Sequence, residues 1–156
     1  MTEFRKLNLN DIERISNWEY YSGEKISMEP YLKSFLNGYE DPRGFDNCIG
    51  RAVYFESRIL GLFEYYERKE GMEIGLVLSP EFRGKGKSEL LLVEGIKYAY
   101  KTLGYSGEKI YLTVEEDNVP AVRAYIKFGF EEYSRFTDEG NKENIKMFFN
   151  CRKFLR

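Results

Sequence analysis

Alternation of apolar and polar positions is sharpest around residues 72–78. Met72, Ile74, Leu76 and Leu78 face one way, and Glu73, Gly75 and Val77 the other. A period of two predicts a half-buried strand, and Pro80 ends it because proline cannot donate to a sheet ladder. From Ser88 the period lengthens, with Leu92, Ile96, Ala99 and Leu103 on one helical face before Gly104 stops it. Upstream, residues 3–8 alternate weakly and predict a short first strand. Asn10 is then the expected cap of a helix running to about residue 20, with Ile12, Ile15 and Trp18 on its buried stripe. A second helix is expected over residues 29–36, with Pro30 in its first turn and Gly38 beyond its end. Residues 46–55 and 59–68 read as a hairpin turning at Glu56, Ser57 and Arg58, which makes a three-stranded antiparallel meander with the 72–78 strand.

Downstream, residues 109–114 form an apolar strand. A strand following a helix in this way returns parallel to the preceding one by a right-handed crossover. Asn118 caps a further helix with Pro120 in its first turn, and Gly129 closes it. Val122, Tyr125, Ile126 and Phe128 are its expected packing face. Residues 130–137 and 145–154 read as a last pair of strands turning at residues 138–141. No repeat, linker or low-complexity tract interrupts the pattern, so residues 1–156 are expected to form a single domain.

Composition narrows the chemistry. A net charge of −2 speaks against a general nucleic-acid binder. No apolar run approaches a membrane span. The opening MTEFRKLNLND lacks the apolar core of a signal peptide. Two widely separated cysteines, Cys48 and Cys151, fit reduced thiols, and a cytoplasmic chain is expected. Histidine is absent, which removes the commonest general base and zinc ligand together. Carboxylates, tyrosine, lysine or backbone must carry the reaction.

Between strand and helix lie Arg83, Gly84, Lys85, Gly86, Lys87 and Ser88. Glycines let backbone N–H groups approach a ligand, the helix N-terminus adds partial positive charge, and three cations reinforce both, as a pyrophosphate seat requires. Gly86-Lys87-Ser88 also ends like a P-loop, yet Glu81 stands where that motif needs its first glycine, and its carboxylate would repel a triphosphate. The template R/Q-x-x-G-x-G/A fits better: Arg83 and Gly86 satisfy it, and Ser88 replaces the last small residue. A second motif follows at Asn118, Ala121, Tyr125, Gly129 and Phe130, spaced N-x-x-A-x-x-x-Y-x-x-x-G-F. With both motifs in order, the chain resembles the GNAT superfamily of N-acetyltransferases.

That resemblance implies an α/β (α+β) fold with a mixed, mostly antiparallel sheet of about six to seven strands, splayed at strands four and five and flanked by about four helices. It implies acetyl-CoA as cosubstrate and transfer to a primary amine by direct attack in a ternary complex. No metal is expected, nor nucleic acid or membrane as partner, and the chain is expected to be a monomer or homodimer. On this reading residues 83–88 hold the pyrophosphate, and the backbone of Leu76, Val77 and Leu78 pairs with the pantetheine arm. Asn118 contacts the same arm as well as capping its helix. Tyr125 sits over the thioester sulfur, and its phenol, near pKa ~10, suits donation to a thiolate near ~8.5. Its other reading is a packing aromatic. Attack needs a neutral amine, and free alkylamines titrate near ~10.4, so a base is required. Glu73 is the candidate, against its reading as a strand-surface carboxylate paired with a lysine. The alternative family position on the fifth strand is Thr113, which cannot serve, leaving Glu115 and Glu116 in reserve. Trp18, Tyr21 and Tyr31 are candidates for an acceptor wall of rings and acids, or equally half-buried rings of a helical hairpin. A catalytically silent acyl-CoA-binding module is the competing function.

Overall fold

The computed structural model describes residues 1–20, 23 and 25–152. Its elements in order are β1 (Thr2–Lys6), α1 (Leu9–Ser16), α2 (Glu29–Leu36), β2 (Ile49–Phe55), β3 (Arg58–Glu67), β4 (Met72–Leu78), α3 (Ser88–Lys101), β5 (Lys109–Glu115), α4 (Val119–Phe128), β6 (Glu131–Thr137) and β7 (Glu143–Asn150). Short 3₁₀ turns occupy Phe45–Asn47 and Pro80–Phe82. The strand order is β1-β2-β3-β4-β5-β7-β6, a seven-stranded mixed sheet in which β4 and β5 are parallel. This is the fold class that the sequence implies. The chain divides into two compact units, Met1–Tyr66 with Leu76–Gly95, and Glu67–Gly75 with Ile96–Arg156.

In the first unit, β1, β2 and β3 pair antiparallel in that order, with Phe55 opposite Arg58 across a tight turn. Glu56 and Ser57 make that turn with φ of 49° and 69°, the left-handed pair that matches strand twist in a two-residue hairpin. Helix α1 begins two residues earlier than expected. Its cap is Asn8, not Asn10: the Asn8 side chain accepts from Asp11 N–H at 2.8 Å, and Asp11 accepts from Asn8 N–H at 3.2 Å. This reciprocal capping box satisfies two end donors at once, which a lone Asn10 could not do. The helix ends at Asn17, so Trp18 packs from beyond it. Ile12, Ile15, Met28, Tyr31, Ala52, Tyr54 and Leu62 form the core under α1 and α2. On the other face of β3, a Cβ at Gly95 of α3 would lie 2.1 Å from the Phe63 ring, and Tyr65 donates to Gly95 O at 2.7 Å. A mid-helix glycine is tolerated there because helix and strand meet so closely. Strand β2 starts later than residue 46, since Asp46 and Asn47 take φ of 53° and 59°.

In the second unit, the parallel ladder of β4 to β5 joins Met72 to Ile110 and Glu73 to Tyr111. β5 pairs with β7 over seven residues, from Lys109↔Asn150 to Glu115↔Asn144. Ile96, Ala99, Ile110, Leu112, Val114, Ile145, Met147 and Phe149 fill the core. Gly129, at φ 124°, turns the chain out of α4 so that Phe128 and Phe130 pack on Phe149 at 5.0 and 5.4 Å. Ile126 does not share the packing face: it is 58 % exposed, because the turn at Gly129 commits the Phe128 side of the helix inward. β7 begins at Glu143 rather than 145, and residues 153 and 154 of the expected strand lie outside the described residues. Among the described residues no helix is long and apolar enough to cross a membrane.

Candidate active site

β4 delivers the chain to the loop through Ser79 and the turn at Pro80–Phe82. Ser79 N–H donates to Leu60 O at 2.8 Å, and a Cβ at Gly61 would meet Val77 O at 2.4 Å. Glycine at 61 therefore lets β3 run close beside the end of β4. The Leu78 carbonyl accepts from the Tyr20 hydroxyl at 2.6 Å. Leu76, Val77 and Leu78 are all half-buried.

In the loop itself, Gly84 and Gly86 have φ of 72° and 70°, and no heavy atom lies within 4 Å of a Cβ placed on either. Space is not what selects glycine here; the left-handed backbone is. The first bond of α3 runs from Leu91 N–H to Lys87 O at 3.0 Å. The N–H groups of Ser88, Glu89 and Leu90 thus precede the helical ladder, as donors for an anion must. Arg83, Lys85 and Lys87 give the loop its positive charge. Glu81, the one acid on its approach, is paired with Arg58. Arg83 rests over the Tyr20 ring with its guanidinium carbon 4.4 Å from the centroid, and Lys87 Nζ lies 4.8 Å from that of Phe55. Aromatic faces hold two of the loop cations in place without neutralising them. Tyr20 thereby touches both the end of β4 and the loop, a role the sequence did not single out. Its partners lie 58 and 63 residues away, beyond any local pattern.

The acceptor candidates separate. Trp18 is half-buried and lines a groove of about 830 Å³ with Asn10, Glu13, Arg14, Ser57 and Arg58 among others. Tyr31 is 1 % exposed: it lies in the core, with its hydroxyl on Glu64 at 2.5 Å and Cys48 Sγ at 3.2 Å. Tyr21 lies outside the described residues. Cys48 and Cys151 are buried, and no disulfide joins them.

In the second unit, Glu73 projects from β4 with Oε1 3.2 Å from Arg68 Nε, the two side chains being 23 % and 32 % exposed. The partner is an arginine, not a lysine. Asn118 caps α4 through Ala121 N–H at 3.4 Å. Tyr125 is half-buried on α4, its ring edge-on to Phe130 at 5.9 Å. Of the reserve acids, Glu116 pairs with Arg135, and Glu115 is exposed at the end of β5. Thr113 is half-buried. Among the described residues no cluster of three or more potential metal ligands gathers.

Comparison with known proteins agrees with this geometry. Residues 9–130 match the acetyltransferase (GNAT) family. The chain is 28 % identical over 151 residues to a spermidine N(1)-acetyltransferase of Vibrio cholerae, covering 91 % of this chain and 83 % of the relative. It is 26 % identical over 146 residues to the acetyltransferase PseH of Campylobacter jejuni, covering 88 % of each. Among solved structures, a chimera of the Vibrio cholerae spermidine N-acetyltransferase SpeG and hSSAT superposes with a TM-score of 0.75 at 24 % identity, covering 99 % of this chain and 98 % of that one. With the family match spanning both the 83–88 loop and the Asn118–Tyr125 helix, the chain belongs to the acetyltransferase (GNAT) family.

Proposed function

We propose that this protein transfers the acetyl group of acetyl-CoA to a primary amine of a polyamine, by direct attack in a ternary complex. The observation that carries the acetyl-CoA reading is the loop at 83–88: two left-handed glycines, three cations and the opening N–H groups of α3. Residues 83–88 hold the pyrophosphate, and Leu76, Val77 and Leu78 offer backbone to the pantetheine arm. Asn118 fixes the start of α4 and contacts the same arm. The substrate amine bonds to the carbonyl carbon as the carbon–sulfur bond breaks. Tyr125 gives its proton to the leaving thiolate, and Glu73 takes the proton lost by the amine. Glu73 does so directly or through water, while its Oε1 is paired with Arg68. The polyamine class is supported by the relatives' names and by the chain's net negative charge. Two buried cysteines that form no disulfide fit a reducing, cytoplasmic setting.

A silent acyl-CoA-binding module stays in contention on one observation, that Glu73 is held by a guanidinium while Thr113 offers no carboxylate. Two measurements separate the readings. Thermal melts with acetyl-CoA, CoA and Mg-ATP come first; saturation near 100 Kd adds roughly 2.7 kcal/mol. A shift with acetyl-CoA and none with Mg-ATP is expected, and a shift with ATP alone would overturn the reading. Thiol release from acetyl-CoA with spermidine and a panel of other amines follows. Release with spermidine supports the enzyme, and binding without release to any amine supports the silent module. Tyr125→Phe is expected to lower kcat by about 10²-fold while sparing acetyl-CoA affinity. A loss of affinity with kcat preserved would remove the acid role.

A further inference from the structure

Glu64 lies on β3, half-buried, on the same strand face as Leu62 and Tyr66. Its Oε2 accepts from the Tyr31 hydroxyl at 2.5 Å and lies 3.7 Å from Cys48 Sγ; its Oε1 accepts from the Tyr66 hydroxyl at 3.2 Å. All three groups are neutral and stay so. Burial, with the charge of Glu64 behind it, pushes the Cys48 thiol up to about 11 and both phenols well above their ordinary range. They orient the carboxylate without cancelling its charge. Among the described residues Glu64 has no cationic partner.

Three other sheltered carboxylates differ. Asp41 is bonded to both terminal nitrogens of Arg51 at 2.9 and 3.1 Å, and Glu73 to Arg68. Asp11, fully buried, closes a capping box in the positive first turn of α1. Glu64 has neither a cation nor a helix end, although solvent still reaches it. Its support is built rigidly: a Cβ at Gly44 or Gly50 would come within 2.5 or 2.4 Å of the Tyr31 ring and hydroxyl, so backbone clamps that side chain from two sides. Fixed donors around an uncompensated charge are what a cation subsite requires.

We propose that Glu64 is a specificity residue of this enzyme. Its carboxylate takes a second ammonium of a di- or polyamine whose other amine is acetylated, and Tyr31 and Tyr66 are positioning residues that aim it. This rests on the acetyl-transfer reading above. It also gives the buried Tyr31 a place in recognition without contact to the acceptor. Glu64 belongs to the same compact unit as the 83–88 loop and residues 76–78.

Steady-state kinetics on the full chain test the proposal, with 1,4-diaminobutane and spermidine as probes against n-butylamine, which has one amine. Wild-type protein is expected to favour the diamine over butylamine by about tenfold or more in kcat/KM. Glu64→Gln is expected to raise KM for both polyamines about tenfold with kcat and acetyl-CoA KM unchanged, and to leave butylamine unaffected. Glu64→Asp should recover part of the loss, and Tyr31→Phe should raise polyamine KM by a smaller factor at constant kcat. Equal use of diamine and monoamine by the wild type would overturn the proposal, and that arm stands even where a variant fails to fold. Unchanged polyamine KM in Glu64→Gln would overturn it too, as would parallel losses on all substrates together with the melting temperature. Failure of the wild type to release thiol with any amine would instead remove the acetyl-transfer reading itself.

Discussion

Two glutamates on neighbouring strands in the sequence show how differently a fold can hold a carboxylate. Glu73, on β4, is met by the Arg68 guanidinium at 3.2 Å. Glu64, on β3, is met by two phenols and a thiol. In the first environment the charge is balanced within the protein, and the carboxylate needs no further partner. In the second it is only oriented, and its charge remains available to a ligand. A half-buried ion pair is a sufficient explanation of itself, whereas a half-buried charge among neutral donors asks what completes it. On the proposed reading the two residues do different work: Glu73 accepts a proton while paired with Arg68, and Glu64 recognises a cation.

The largest expected effect tests the Glu73 side. Glu73→Gln should lower kcat with a saturating amine by about 10²-fold or more, as loss of a general base does, while acetyl-CoA affinity holds. An unchanged kcat would make the Glu73–Arg68 pair purely structural and dissolve the contrast. Next is the support of Glu64. Gly50→Ala places a methyl 2.4 Å from the Tyr31 hydroxyl and should destabilise the protein by roughly 1–3 kcal/mol in urea denaturation. A cost near zero would show that Tyr31 is free to move and that Glu64 is loosely held.

Arg68→Ala should cost less than about 1 kcal/mol, since both partners are partly exposed and solvent screens the pair. A larger loss in the same denaturation assay would mark the pair as a principal structural link. The smallest effect is alkaline. The folded protein keeps protons on Cys48, Tyr31 and Tyr66 to higher pH than the unfolded chain, first through burial and then through the Glu64 charge. Raised folded pKa values mean stability that is complete below the unfolded pKa, near ~8.5 for a thiol, and declines as pH climbs toward 11 and beyond. Melting temperature should fall by roughly a few degrees between pH 8 and 10.5. The fall should be shallower in Glu64→Gln, and identical slopes would mean that the charge does not reach its three donors.

Much of this protein is legible from its residues in order. The strand–loop–helix unit follows from the change of period at Ser88. The left-handed loop follows from Gly84 and Gly86, and the cap and stop of α4 follow from Asn118 and Gly129. Each of these is a local property, set by side-chain period or by the φ that only glycine adopts cheaply, and so it survives without knowledge of what packs against it. Asn8 was local too: an asparagine with an aspartate three residues on is a capping box, and that spacing marks the true start of α1.

Tertiary structure alone decided which aromatic rings border the loop or a groove and which are core. Tyr20, Trp18 and Tyr31 look alike in one aromatic, acidic stretch. Packing sends Tyr20 to Leu78 and Arg83, Trp18 to a groove, and Tyr31 to Glu64 across 33 residues. The partners of Glu64 come from α2, the turn before β2, and β3, and no spacing along the chain announces their convergence. A period records which face a residue presents. What waits on the other side of that face is set by contacts distant in sequence, and those are fixed only when the sheet and helices close around them.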